Sequence, residues 1–184
     1  MNLKFKLTKE TKVEFGITFH RIEATKDFND VKKGDRGGWV ANETNIDSSG
    51  DAWVYGNARV YGNAQVYGDA WVYGNARVYG DAWVSGNARV YGDAWVYGDA
   101  QVYGDAQVYG DAQVSLPVFV LQGSVHQISD CGNGNLKIGC EMHPIEKWIS
   151  DYKIIGKKHG YTDKQIAEYG EHIKYASKFM IKTK

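Results

Sequence analysis

Ala52-Trp53-Val54-Tyr55-Gly56-Asn57 and Ala58-Arg59-Val60-Tyr61-Gly62-Asn63 open a run in which one six-residue unit recurs eleven times in a single phase, ending at Ala112-Gln113-Val114-Ser115. Val returns every six residues from Val54 to Val114, and Ala stands two positions before each. The position between them is Trp, Arg or Gln. The position after Val is Tyr, except at Ser85 and Ser115, and Gly followed by Asn or Asp completes the unit. Alternate side chains of a strand point to opposite faces, so Ala and Val go inward and the Trp/Arg/Gln and Tyr positions go outward. Gly-Asn and Gly-Asp tolerate the positive φ of a corner. A helix needs apolar positions three and four apart and is weakened by a Gly in every unit. A meander of hairpins needs a reversal at every turn and buries only one face.

Six-residue repeats resemble the left-handed parallel β-helix family, in which three hexads make one triangular coil. The left hand is implied by that resemblance, since crossover connections in general favour the right. The fold class expected is mainly β: a single-stranded left-handed parallel β-helix with a small N-terminal β cap and a C-terminal α-helical hairpin. With three hexads per coil, residues eighteen apart stack at about 4.8 Å. The run then makes between three and four coils.

That register sorts the outward positions into three faces: Trp53, Trp71, Arg89 and Gln107; Arg59, Arg77, Trp95 and Gln113; and Gln65, Trp83 and Gln101. It also predicts one aromatic ladder of Tyr55, Tyr73, Tyr91 and Tyr109, and another of Tyr61, Tyr79 and Tyr97. Tyr67 and Tyr103 flank Ser85, which breaks the third. Tyr ladders stabilise a solenoid by about 0.5–1.5 kcal/mol per stacked pair. Four outward Trp make a large apolar exterior of the kind that marks an interface. Hexapeptide β-helices form trimers with ligand clefts between subunits, so the resemblance implies a homo-oligomer, a trimer above all, with Trp53, Trp71, Trp83 and Arg89 at the contact. Arg59 and Arg77, one coil apart, repel unless an anion or acceptor joins them. With Trp95 above them and Tyr61, Tyr79 and Tyr97 alongside, they form a candidate site for a phosphate-bearing or nucleotide-like ligand. The competing reading is structural: Arg planes stacked on Tyr and paired with corner Asp.

The formal net charge is zero, which argues against bulk attraction to nucleic acid. The charge is segregated, however: segment 51–115 carries −4, residues 1–50 carry +1 and residues 116–184 carry +3, which suggests three parts. We expect a β cap at 1–38, the β-helix at 39–142 (regular over 52–115, irregular after it) and a helical hairpin at 143–184. Strand-like runs at Leu3–Leu7, Val13–Phe15 and Ile17–Glu23 build the cap, and Val40 and Ile46 form a pre-repeat. The step of eight from Ile46 to Val54 marks two inserted residues. Pro117 interrupts the repeat beyond Ser115, and Gln127–Asp130 and Leu136–Gly139 read as irregular strands. A first helix begins at Pro144 and exits through Gly156–Gly160. Thr162-x-x-Gln165 is a capping box opening a second, through Ile166, Tyr169, Ile173, Ala176 and Met180.

Two cysteines, Cys131 and Cys140, make no disulfide framework, and no stretch reads as a signal peptide or membrane helix. A cytoplasmic protein is the expectation. The chain also resembles small proteins of bacteriophages and prophages, on Arg21-Ile22-Glu23-Ala24 with Lys32-Lys33-Gly34-Asp35, on the hexapeptide block, and on Ile138-Gly139-Cys140-x-x-His143 with Trp148 and Gly160-Tyr161. That resemblance implies a phage-infected bacterial host and, by analogy, a role against host defence.

Enzymatic readings lack their chemistry. Hexapeptide acyltransferases and related carbonic anhydrases use histidines on or near the coils, whereas His20, His126, His143, His159 and His172 all lie outside the repeat block. Cys140-x-x-His143 offers a thiolate–imidazole pair or half a zinc site, with no second cluster to complete it, and Asp81/Asp99 and Asp93/Asp111 read as solvated corners. No catalytic residue, metal or cofactor is assigned. The expected function is a non-enzymatic oligomeric scaffold that sequesters a small nucleotide-like anion. The alternatives are a solenoid that docks a host protein and a diverged hexapeptide acyltransferase.

Overall fold

The computed structural model describes residues 4–115, 118 and 120–180. Pro117, with Leu3, Leu116 and Phe119, lies outside them. Three strands, β1 (Phe5–Glu14), β2 (Ile17–Ala24) and β3 (Arg36–Val40), precede eleven two-residue strands, one per hexad, from β4 (Trp53–Val54) to β14 (Gln113–Val114). Hexads eighteen apart pair in parallel: Trp53 with Trp71, Arg59 with Arg77, Gln65 with Trp83. Three parallel ladders result, and the repeat is a β-solenoid.

Ala and Val of every hexad fill the interior, with Ala58, Val60, Ala76 and Val78 fully buried. No larger side chain of the repeat points inward, so the coils close around a narrow apolar column. At the corners the Gly residues adopt positive φ. At Gly74 (φ +71°) an added Cβ would stand 3.0 Å from the Gly92 nitrogen, so one coil rests directly on the next. Corner side chains form their own ladder: Asn75 Nδ2 donates to Asp93 Oδ1 at 3.0 Å, and Asn63 Nδ2 to Asp81 Oδ1 at 2.9 Å.

The pre-repeat is present. Val40 pairs with Val60 and Ile46 with Val66, both twenty apart, which places the two extra residues after Ile46. A short 3-10 turn, Glu43–Asn45, is tied down by the buried Asn45. Its amide donates to the Gly62 and Ala64 carbonyls at 3.1 and 2.8 Å, and its oxygen accepts from Asn42 N–H. β1 and β2 form an antiparallel hairpin, and β2 pairs antiparallel with β3. The cap thus continues one solenoid sheet and covers an edge that would otherwise recruit another strand.

The chain divides into two compact units at Val118 and Phe119. In the second, β15 (Val120–Gln122), β16 (Gln127–Asp130), β17 (Asn135–Ile138) and β18 (Glu141–Pro144) form an antiparallel sheet in sequence order. The sequence suggested irregular strands of the solenoid here. Left-handed residues Gly132, Asn133, Gly134 and Gly139 instead allow tight reversals that a parallel coil does not use. Helices α1 (Ile145–Lys158) and α2 (Asp163–Met180) share one core with this sheet, made of Ile128, Leu136, Ile145, Trp148, Tyr169 and Ile173. The capping box is formed: Gln165 N–H donates to Thr162 Oγ1 at 3.3 Å, and Thr162 N–H to Gln165 Oε1 at 2.8 Å.

Candidate functional site

Arg59, Arg77, Trp95 and Gln113 stand in one column, as the eighteen-residue register requires. Trp39 of β3 extends that column below Arg59, so two arginines lie between two tryptophans. The sequence reading missed Trp39. Gly38-Trp39-Val40 matches the Ala-Trp-Val of the repeat, with Gly for Ala, and that match was the available signal. Gly replaces Ala because a Cβ on Gly38 would meet a Val54 methyl at 2.6 Å.

The two arginines differ in environment. Arg59 is largely buried and meets Glu14, at the end of β1: Nη2 donates to Oε1 at 3.0 Å, and Nε lies 2.7 Å from Oε2 without the alignment of a hydrogen bond. The Arg59 bond holds the Glu14 carboxyl below the usual range, with help from Lys12 at 3.1 Å. The charge of Arg59 is therefore answered within the chain, by the β1–β2 hairpin rather than by a corner Asp. Arg77 has no such carboxylate among the described residues. Its guanidinium lies 4.7 Å from the Trp95 ring and 5.7 Å from Phe15 at the hairpin tip. Neither ring is a conventional hydrogen-bond acceptor, so the N–H donors of Arg77 are what it has left to offer. Phe15 is 73% exposed and itself left-handed (φ +56°).

Tyr61, Tyr79 and Tyr97 stack beside this column with centroids 4.9 and 5.3 Å apart. Burial raises the pKa values of Tyr61 and Tyr79, and the neighbouring phenol raises them further. The second ladder, Tyr55, Tyr73, Tyr91 and Tyr109, is continuous, with centroids 4.8–5.2 Å apart.

The residues read as an interface do not form one surface. Trp53 is 2% exposed, because Phe28 of the cap packs edge-on against it at 5.4 Å; it presents nothing to another copy. Trp71 is half-buried, with Tyr55 edge-on at 5.6 Å, and Arg89 above it is exposed. Trp83 is on a different face, 46% exposed, between Gln65 and Gln101.

In the second unit Cys140 sits at the β17–β18 reversal and His143 within β18, opposite Leu136. His143 Nε2 is 3.1 Å from Glu141 Oε2, and His159 Nε2 is 2.8 Å from Glu141 Oε1, so one carboxylate bridges two imidazoles. Those bonds and Lys158 lower the Glu141 pKa, the His159 bond most. Among the described residues no group of three His, Cys, Asp or Glu is placed to hold a metal ion. None of the described helices is long and apolar enough to cross a membrane.

Parallel ladders, an Ala/Val column and glycine corners define a β-solenoid repeat protein. The repeat is similar to the YdcK beta solenoid repeat, which matches residues 52–68, 64–80, 70–86, 82–98 and 100–115 and leaves both flanks unmatched. No curated protein matches the chain.

Proposed function

We propose that this β-solenoid is a non-enzymatic binding scaffold that recognises an anion through Arg77. The observation that carries the reading is the position of Arg77: half-buried, close to the Phe15 and Trp95 rings, with no carboxylate partner among the described residues. A guanidinium held this way has lost part of its hydration and keeps in-plane donors suited to phosphate oxygens. Glu14 already neutralises Arg59, so the attraction rests on one arginine rather than two. A phosphate-bearing, nucleotide-like ligand fits that donor set. The resemblance to phage proteins is the sole support for a cytoplasmic role in an infected bacterium, where sequestering a nucleotide signal would counter host defence. The resemblance to hexapeptide β-helices is likewise the support for a homotrimer.

Calorimetry with inorganic phosphate and a nucleotide panel tests the site. Arg77→Ala removes a charge-assisted hydrogen bond of about 1.5–3 kcal/mol and should weaken binding at least tenfold. Glu14→Gln releases Arg59 and should tighten binding. Absence of heat with every panel member would contradict the proposal.

A second reading has its own observation. Trp83 and Tyr103 are 46% and 43% exposed on the solenoid exterior, an apolar surface suited to a protein partner or another copy. Sedimentation of the wild type and of Trp83→Glu discriminates: a change in assembly state supports a contact between copies, and an unchanged state removes Trp83 from it.

A further inference from the structure

The second unit holds a cavity of about 150 Å³ between its sheet and its helices. Ile138, Trp148, Tyr152, Ile155, Ile166 and Ile173 give it apolar walls. The recess is partly open to solvent, and water against apolar walls makes few hydrogen bonds there. An apolar group that displaces that water gains burial without stripping the walls of a polar partner.

The polar atoms around the cavity narrow the chemistry of an occupant: the Cys140 thiol, a weak donor, lines it too, but the stronger groups below already answer one another. Trp148 Nε1 donates to the Leu136 carbonyl at 2.6 Å. Tyr169 donates to the His126 carbonyl at 2.7 Å and accepts from the backbone N–H groups of Val125 and His126. The Tyr161 hydroxyl meets His126 Nδ1 at 2.5 Å, and Glu141 is held by His159. A ligand dense in hydrogen-bonding groups would have to break these pairs. An apolar ring would not. An apolar cavity of about 150 Å³ is also the size that admits a benzene ring.

We propose that this cavity is a binding site for a small apolar ring, of about benzene to indole size, held by the isoleucine walls and the Trp148 and Tyr152 faces. It lies wholly within the second unit and does not depend on Arg77.

The test is methyl-resolved NMR of the full chain with labelled isoleucine, titrated with benzene and then indole. The expected result is a saturable shift confined to the Ile138, Ile155, Ile166 and Ile173 methyls, with Ile22 and Ile46 of the solenoid unit unmoved. Ile166→Phe fills the space and should weaken binding at least tenfold; if its spectrum shows a loss of fold, Ile155→Phe replaces it. No saturable shift in the wild type, or undiminished binding in a folded filling variant, would overturn the proposal.

Discussion

Replacing Gly92 separates two contributions to corner stability. Gly92 has φ +72°, and a Cβ there would stand 2.9 Å from the Gly110 nitrogen, a backbone atom that cannot swing aside. Gly104 has the same backbone sense, φ +63°, but nothing lies within 4 Å of its added Cβ. Alanine at Gly104 therefore incurs only the left-handed conformation, about 1–2 kcal/mol, partly offset by about 0.4–1 kcal/mol from a less flexible unfolded chain. Alanine at Gly92 adds overpacking between coils, a further ~1–3 kcal/mol. Asparagine sharpens the comparison, because it tolerates the left-handed region yet still carries a Cβ. Gly104→Asn should be nearly neutral and Gly92→Asn should still cost about 1–3 kcal/mol. Urea unfolding followed by circular dichroism measures the midpoints. Hydrogen exchange checks for coil-by-coil opening, which repeat arrays permit. Gly92→Asn as stable as Gly104→Asn would refute the claim that coils rest on one another through glycine.

Lys4 gives a pH-dependent prediction. Its buried ammonium donates to the Gly50 carbonyl at 3.0 Å, and burial lowers its pKa from 10.5 to about 8. Between those values the unfolded chain holds the proton and the folded chain does not, so stability rises with pH across that window, by at most about 3 kcal/mol. Below it both states hold the proton and the group adds no pH dependence. Wild type minus Lys4→Met, measured by urea midpoint from pH 7 to 10, should show the rise, and parallel curves would contradict it. Tyr169→Phe removes a hydroxyl that serves three backbone groups at Val125 and His126 and should cost about 1–3 kcal/mol, read in the helical melt of the full chain. Arg59→Ala/Glu14→Gln, measured as a double-mutant cycle, should show a coupling of about 1 kcal/mol, and zero coupling would remove the hairpin from the account.

The hexad carried its own register. Val every six residues and Gly at each corner leave little freedom, so Trp53 over Trp71, Arg59 over Arg77 and both tyrosine ladders follow from counting. The capping box at Thr162 was readable for the same reason, since its partners are three residues apart. What escaped the sequence depends on contacts distant along the chain. Nothing near Glu14 says that it reaches Arg59, and nothing near Phe28 says that it covers Trp53; both follow from how the β1–β2 cap docks on the solenoid. The short strands after Ser115 carry no strict period, and their antiparallel pairing is set by turn glycines and a core shared with α1 and α2.

Register is tested most directly by cysteine pairs at the corners. Asn63 and Asp81, eighteen apart, bond side chain to side chain at 2.9 Å, whereas Asn75 belongs to a different corner and bonds to Asp93. Cys140 is exposed and is replaced by Ser; Cys131 is buried, its thiol pushed up to about 12, and stays unreactive. Asn63→Cys/Asp81→Cys should then form a disulfide readily under mild oxidation, and Asn63→Cys/Asn75→Cys should not. A disulfide in the second pair and none in the first would contradict the stacking of every third hexad.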